Sequence, residues 1–158
     1  MGRCAMKDSV LNIRSLASGD LQALLALYQH LHTSDDPAPS PDHVEAVWAG
    51  LLADSHHLYL GGFVGGQLVA SCVLTVIPNL TRGCRPYGLI ENVVTHGAFR
   101  QRGFGKAVLQ HALQQAWARG CYKAMLMTGR KDEAIMRFYE DAGFDRHDKQ
   151  AFVARPPV

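Results

Sequence analysis

The sequence predicts an α/β fold (α+β mixed sheet) whose helices pack on the faces of the sheet. Two apolar, strand-like runs are separated by Gly65-Gly66-Gln67, and later strand-like runs alternate with amphipathic helices. Paired glycines supply the positive φ of a tight hairpin, and alternating strands and helices are typical of a sheet covered by helices. We expect one domain over residues 1–158, a length that can bury a core without metals or disulfides.

The first half of the chain is expected to form three strands and two helices. Alternating apolar and polar residues indicate a half-buried first strand. Apolar residues at helical spacing then predict one helix, and Ser40-Pro41 is a typical start for a second. The predicted elements are strand 10–16, helix 21–31, helix 41–52, strands 58–64 and 68–77, and a loop over 78–86.

The second half alternates strands and helices. Its longest helix carries an apolar stripe and ends at Gly120, where a C-terminal cap is expected. Another helix begins near Asp132 and ends at Gly143-Phe144. The predicted elements are strand 87–95, helix 105–119, strand 122–128, helix 132–142 and a short last strand, 149–154.

Composition excludes several classes of function. Hydrophobic residues make up 47% of the chain, charged residues 19%, and the formal net charge is +2. This is an ordinary globular composition, so we expect no nucleic-acid and no membrane partner. Four scattered cysteines form no C-x-x-C pair, and the eight histidines lack H-E-x-x-H spacing, so we expect no metal. A polar start without a long apolar run predicts a cytoplasmic protein.

The most informative motif follows the strand 87–95. It reads Arg100-x-x-Gly103-x-Gly105-Lys106 and leads directly into the long helix. Glycines allow close backbone approach, and unpaired amides at a helix start bind anions. The motif therefore suits a nucleotide diphosphate, although a Gly-x-Gly alone often marks only a tight strand-to-helix turn.

Two common diphosphate motifs do not fit. A P-loop needs a different glycine-to-lysine spacing followed by Ser or Thr, and a dinucleotide fold carries its glycines after the first strand. Coenzyme A is the remaining common ligand of this kind.

Three segments together resemble the GNAT superfamily of N-acetyltransferases. They are Leu89-Ile90-Glu91-Asn92-Val93-Val94, the run from Phe99 to Lys106, and Arg137-Phe138-Tyr139-Glu140-Asp141-Ala142-Gly143-Phe144. The resemblance implies the acyl-CoA N-acyltransferase fold, with mostly antiparallel N-terminal strands, a splayed parallel pair and about four helices. It also implies acetyl-CoA as co-substrate.

Within the superfamily, residues 90–94 and 120–140 resemble the glucosamine-6-phosphate N-acetyltransferases most. Those enzymes commonly carry a second acidic residue where this chain has Asn92, so another small amine is equally open. The expected reaction is acetyl transfer to a primary amine of a small molecule, by direct attack in a ternary complex. A protein amino-terminal or lysine acetyltransferase and a non-catalytic acyl-CoA sensor are the alternatives. The resemblance is also compatible with a homodimer.

The resemblance implies a set of coenzyme contacts. The backbone of Val93 to Thr95 would pair with the pantetheine arm, and the amide of Val94 would face the thioester oxygen. The loop amides would hold the diphosphate, and Asp132 falls where many relatives place an asparagine that contacts the coenzyme. The implied contacts are Val93, Val94, Thr95, Arg100, Gln101, Arg102, Gly103, Phe104, Gly105, Lys106 and Asp132.

Two residues are candidates for proton transfer. Tyr139 lies where the family places a tyrosine near the coenzyme sulfur, and a phenol can protonate the departing thiolate. Glu91, in the middle of a strand beside the expected acetyl position, is the candidate base, acting directly or through water. Alternatively Tyr139 is a core aromatic and Glu91 a structural carboxylate. Asn92 would orient the substrate or only bond the bulge.

His96 and Cys84 are not predicted to take part in the reaction. His96, just beyond the strand, is a loop histidine more typical of a solvated side chain than of an acceptor contact. Cys84 is an unattractive acetyl carrier because a nucleophilic cysteine needs a base or an electropositive setting. Direct transfer is therefore preferred.

Overall fold

The computed structural model describes residues 10–158. Within these residues, five strands form one sheet, and four regular helices cover it. The strands are β1 (Asn12–Ser15), β2 (His57–Val64), β3 (Gln67–Ile77), β4 (Tyr87–Thr95) and β5 (Ala124–Leu126). The helices are α1 (Leu21–Tyr28), α2 (Pro41–Ala53), the single turn α3 (Thr81–Cys84), α4 (Phe104–Ala118) and α5 (Glu133–Asp141), with short 3-10 turns at Ser18–Asp20 and Gly97–Phe99.

The sheet order follows the chain from β1 to β5. Neighbouring strands are antiparallel as far as β4, whereas β4 and β5 are parallel. Gly65 and Gly66 both adopt positive φ, at 56° and 82°, in the turn between β2 and β3. The predicted hairpin, the mixed sheet and the number of helices are confirmed.

Each face of the sheet carries its own apolar core. On one face, α4 buries Val108, Leu109 and Ala112 against the strands. On the other face, α1 and α2 bury Leu24, Leu27 and Trp48. The sheet therefore lies between two helical layers, and its middle strands β2 and β3 are almost wholly buried.

Local signals account for the helix boundaries. The Ser40 hydroxyl accepts a hydrogen bond from the amide of His43 and caps α2. The Asp132 carboxylate accepts one from the amide of Ile135 at 3.1 Å and caps α5. Gly120 follows α4 with a φ of 76°, which favours glycine.

Three sequence-based boundaries need correction. The strand expected over 122–128 spans only Ala124–Leu126. No strand forms over 149–154 in the described chain, because these residues lie exposed beyond α5, with Phe152 90% exposed, and find no apolar face to cover. The loop 78–86 contains the turn α3, in which Arg82 and Gly83 are left-handed.

No helix within residues 10–158 is long and apolar enough to cross a membrane.

Candidate active site

The sheet opens between β4 and β5. The two strands pair only at Gly88–Ala124, Leu89–Met125 and Ile90–Leu126. Beyond Ile90, β4 continues to Thr95 and remains paired with β3 on its other side. One edge of β4 is therefore free to bond a ligand over its last residues.

A β-bulge lies where the opening begins. The register between β3 and β4 shifts by one residue between Ser71 and Val73, and Asn92 on β4 adopts a φ of 53°. Asparagine tolerates this left-handed conformation better than most residues do. The extra residue allows β4 to bend away from β5 without losing its bonds to β3.

The bulge changes which amides face the opening. Before the bulge, the Gly88 amide donates to the carbonyl of Lys123. Every second amide of β4 from Gly88 to Asn92 therefore points toward β5. After the bulge, the His96 amide donates to the carbonyl of Val69 on β3. The amides of His96 and Val94 therefore point toward β3. Asn92 and Val93 therefore both present their amides to the opening, and so does Thr95.

This register corrects the expectation for Val94. Its amide points toward β3, and its side chain is buried, with 4% exposure, among the residues under α1 and α2. The amide of Val93 replaces it as the donor nearest the bulge on the open edge.

The loop before α4 forms an anion-binding concavity. Gln101 and Gly103 have positive φ, at 61° and 79°, and no side chain in the described structure caps α4. The amides of Phe104, Gly105 and Lys106 belong to the first helical turn, where they have no intrahelical partner. Successive amides in such a turn converge on an anion, at the positive end of the helix dipole.

Gly105 brings this loop close to β4. A Cβ at this position would lie 2.8 Å from Thr95 Oγ1 and 3.2 Å from the Phe138 ring. The start of α4 therefore rests directly on the end of β4 and on α5. This contact fixes the distance between the loop amides and the open edge of β4.

The opening and the loop form one continuous cleft of about 1040 Å³. It is lined by all of the predicted site residues except Arg102, namely Glu91, Asn92, Val93, Val94, Thr95, Arg100, Gln101, Gly103, Phe104, Gly105, Lys106, Asp132 and Tyr139. The guanidinium of Arg102 lies instead over the ring of Phe99, 5.2 Å from its centroid.

Tyr139 projects into the cleft from α5 and is about half buried. Burial raises the pKa of its phenol above the usual 10, Arg130 opposes this effect, and the charge of Glu91 adds to it. The phenol is therefore protonated at neutral pH and can donate a proton. Its ring packs edge-on against Phe138 at 5.1 Å and Phe144 at 6.4 Å.

An ion-pair cluster fixes the end of α5. Arg146 binds Glu140 at 2.7 Å and Glu133 at 2.9 Å, so one guanidinium joins two successive turns of the same helix face. These bonds lower the pKa of both carboxyls. Tyr139 precedes Glu140, so the cluster holds the helix that carries the phenol.

Asp132 already has structural partners. Besides capping α5, its carboxylate lies 3.3 Å from Arg130 Nε. Its place in the cleft is compatible with a coenzyme contact as well.

Several cleft residues were not predicted. They come from the segment after α1, from the end of β5 and from the C-terminal tail, and include His30, Leu31, His32, Met127, Thr128, Gly129, Arg130 and Arg155. The only sequence signal was the paired histidines, which carry no spacing code for this contact. Within the described range, no three His, Cys, Asp or Glu side chains are grouped to hold a metal ion.

The sequence and the structure match known acetyltransferases. The model of the acetyltransferase (GNAT) family matches residues 21–144. A glucosamine 6-phosphate N-acetyltransferase of Trypanosoma brucei brucei is 33% identical over 149 residues, which cover 92% of this chain and 97% of that protein.

Two solved structures share the fold. One, from Agrobacterium tumefaciens str. C58 and named only provisionally as an acetyltransferase, has a TM-score of 0.86 and 43% identity, covering 92% of this chain and 99% of that one. The other, AAC(6')-Iy bound to a bisubstrate analogue of CoA, has a TM-score of 0.75 and 18% identity, covering 94% and 100%.

This chain belongs to the GNAT family of acetyltransferases. It is an acetyl-CoA-dependent N-acetyltransferase, because acetyl-CoA is the co-substrate of the GNAT family.

Proposed function

We propose that this protein transfers the acetyl group of acetyl-CoA to the primary amine of a small amino sugar, by direct attack in a ternary complex. One observation carries the proposal. Glu91 and Tyr139 line the same cleft, where β4 leaves β5, and the charge of Glu91 helps to keep the Tyr139 phenol protonated.

The free edge of β4 suits the pantetheine arm. The backbone of Val93 and Thr95 faces the opening and can pair with the amides of that arm, as an added strand would. The loop amides from Gln101 to Lys106 suit the diphosphate, and Lys106 adds positive charge there. The two sites are joined by one cleft.

Three groups would then carry the chemistry. Glu91 accepts a proton from the ammonium form of the acceptor, directly or through water, so that the nitrogen can attack the thioester carbon. The Val93 amide donates to the carbonyl oxygen as negative charge develops on it. The carbon–sulfur bond breaks, Tyr139 donates its phenolic proton to the departing sulfur, and the phenolate takes back the second proton that the new amide nitrogen loses.

The charge of the cleft is mixed. Its lining holds Arg100, Lys106, Arg130 and Arg155 against Glu91, Asp132 and Asp141, and Arg100 and Lys106 lie at the diphosphate loop. A groove for a lysine or an amino terminus of a protein would be expected to be acidic. The similarity to a protein named glucosamine 6-phosphate N-acetyltransferase makes that phosphosugar the first acceptor to test.

The test combines binding and turnover. Acetyl-CoA is titrated calorimetrically, and release of free thiol is then followed with glucosamine-6-phosphate, glucosamine, an aminoglycoside and a lysine peptide. We expect turnover with the phosphosugar. Turnover with the peptide alone would overturn the small-molecule proposal, and binding without turnover on any amine would favour a sensor.

A matched pair of variants tests the role of the phenol. Tyr139→Phe should lower kcat by about 10²-fold or more, the usual contribution of a general acid, and leave the Kd for acetyl-CoA unchanged. Tyr122→Phe is the control, because Tyr122 packs beside Tyr87, 6.3 Å away at the other end of β4. Equal kcat values for the two variants would exclude Tyr139 as the acid.

A further inference from the structure

Two histidines that the proposed reaction does not use pack against each other beside the cleft. His30 follows α1 and His96 follows β4, and their ring centroids are 4.1 Å apart with an interplanar angle of 41°. His30 belongs to the segment after α1 that lines the cleft. His96 begins the turn that leads into the diphosphate loop.

Both rings accept hydrogen bonds from the same turn. The amide of Gly97 donates to His30 Nδ1 at 3.2 Å, and the amide of Ala98 donates to His96 Nδ1 at 3.1 Å. A nitrogen that accepts from an N–H cannot carry a proton. The Nδ1 atom of each ring is therefore the acceptor that holds this turn.

Arg100 joins the same cluster. Its guanidinium donates to the carbonyl of His30 at 3.1 Å and to the carbonyl of Thr95 at 3.3 Å. The ionisable groups that act on His30 are thus His96 and Arg100, both on the segment packed against it. Burial, then these two groups, lower the pKa of His30.

We propose that His30 and His96 are positioning residues for acetyl-CoA: their Nδ1 atoms accept hydrogen bonds from the turn 97–100 and hold it so that the following amides face the diphosphate. Protonation of His30 removes the acceptor for Gly97 and places a cation beside His96 and Arg100, so the turn is released. The inference rests on the proposed placement of the diphosphate on residues 101–106.

The experiment separates the hydrogen bond from the ring. His30→Asn keeps an acceptor near the position of Nδ1 but cannot be protonated, whereas His30→Phe keeps a ring and loses the acceptor. His43→Asn is the matched control, because His43 is exposed in the first turn of α2. The Kd for acetyl-CoA is measured by calorimetry at pH 7.5 and pH 5.5, and circular dichroism confirms that each variant is folded.

At pH 7.5, His30→Phe should bind acetyl-CoA about five-fold more weakly, as expected for one lost hydrogen bond. His30→Asn should stay within about two-fold of the parent and should lose less affinity than the parent at pH 5.5. Ionisation of the coenzyme phosphates affects every variant alike, and His43→Asn should follow the parent at both pH values.

Two results would overturn the inference. They are a His30→Phe variant that binds like the parent, or a His30→Asn variant that loses affinity on acidification as steeply as the parent does. If His30→Phe does not fold, the pH comparison of His30→Asn decides alone. The experiment measures coenzyme binding, so failure of the protein to acetylate amino sugars would count only against the proposed acceptor. Absence of acetyl-CoA binding by the parent would overturn both proposals.

Discussion

Replacing Gly105 by alanine tests the close contact between the diphosphate loop and β4. The added Cβ would lie 2.8 Å from Thr95 Oγ1 and 3.2 Å from the Phe138 ring. Overpacking of this kind costs about 1–3 kcal/mol, and alanine returns up to about 1 kcal/mol of helix propensity. The net expectation is a loss of about 1 kcal/mol in the free energy of unfolding.

Gly50→Ala is the matched control. Gly50 also lies within a helix, α2, but a Cβ there would meet nothing within 4 Å. Only the gain in helix propensity applies, so the free energy of unfolding of this variant should exceed that of the parent by about 0.5–1 kcal/mol.

Thermal unfolding measures the difference between the two variants. One kcal/mol corresponds to roughly 2–4 °C in Tm for a chain of this size. Gly105→Ala should therefore unfold about 3–8 °C below Gly50→Ala, and only Gly105→Ala should weaken binding of acetyl-CoA. The packing argument is refuted if Gly105→Ala is as stable as Gly50→Ala and binds acetyl-CoA normally.

Three further variants and treatments test other parts of the site. Arg146→Gln should lower Tm at pH 7. Arg146 lowers the pKa of the Glu133 and Glu140 carboxyls below the usual 4.5. The difference in Tm between variant and parent should therefore shrink as the pH falls below 4.5, which scanning calorimetry would measure. Burial raises the pKa of Cys72 to about 12, so its thiol should react with a disulfide reagent only after unfolding. Cys84 is exposed and should react at once. In a Cys84→Ser variant, early labelling of Cys72, mapped by mass spectrometry, would contradict this expectation. At Asn92, where φ is 53°, the glycine variant should be more stable than the alanine variant, the reverse of the order in a regular strand.

The sequence predicted the elements around the site with little error. The predicted strand 87–95 coincides with β4, because its apolar run is bounded by Pro86 on one side and by the turn at His96 on the other. The predicted helix 105–119 differs from α4 by one residue at each end. Local signals, namely a glycine turn before the helix and Gly120 after it, were sufficient here.

Tertiary contacts explain what the sequence did not predict. His30 and Gly97 are 67 positions apart, so their hydrogen bond follows from how α1 packs on the sheet and has no local pattern. The direction of the Val94 amide depends on whether a bulge shifts the alternation by one residue, which side-chain periodicity alone does not specify. A strand over 149–154 was predicted from its apolar residues, yet an apolar run becomes a strand only where a neighbouring edge and a buried face are available.

Asn92 connects the backbone geometry with the question of the acceptor. β4 remains paired with β3 on both sides of Asn92, so one inserted residue, and not a loss of pairing, separates it from β5. That residue must adopt positive φ, a requirement that asparagine meets with a neutral side chain. The bulge explains why a residue that tolerates positive φ stands at this position, but aspartate tolerates it as asparagine does. The backbone therefore does not choose between an amide and a second carboxylate here, and the acceptor must be decided by turnover.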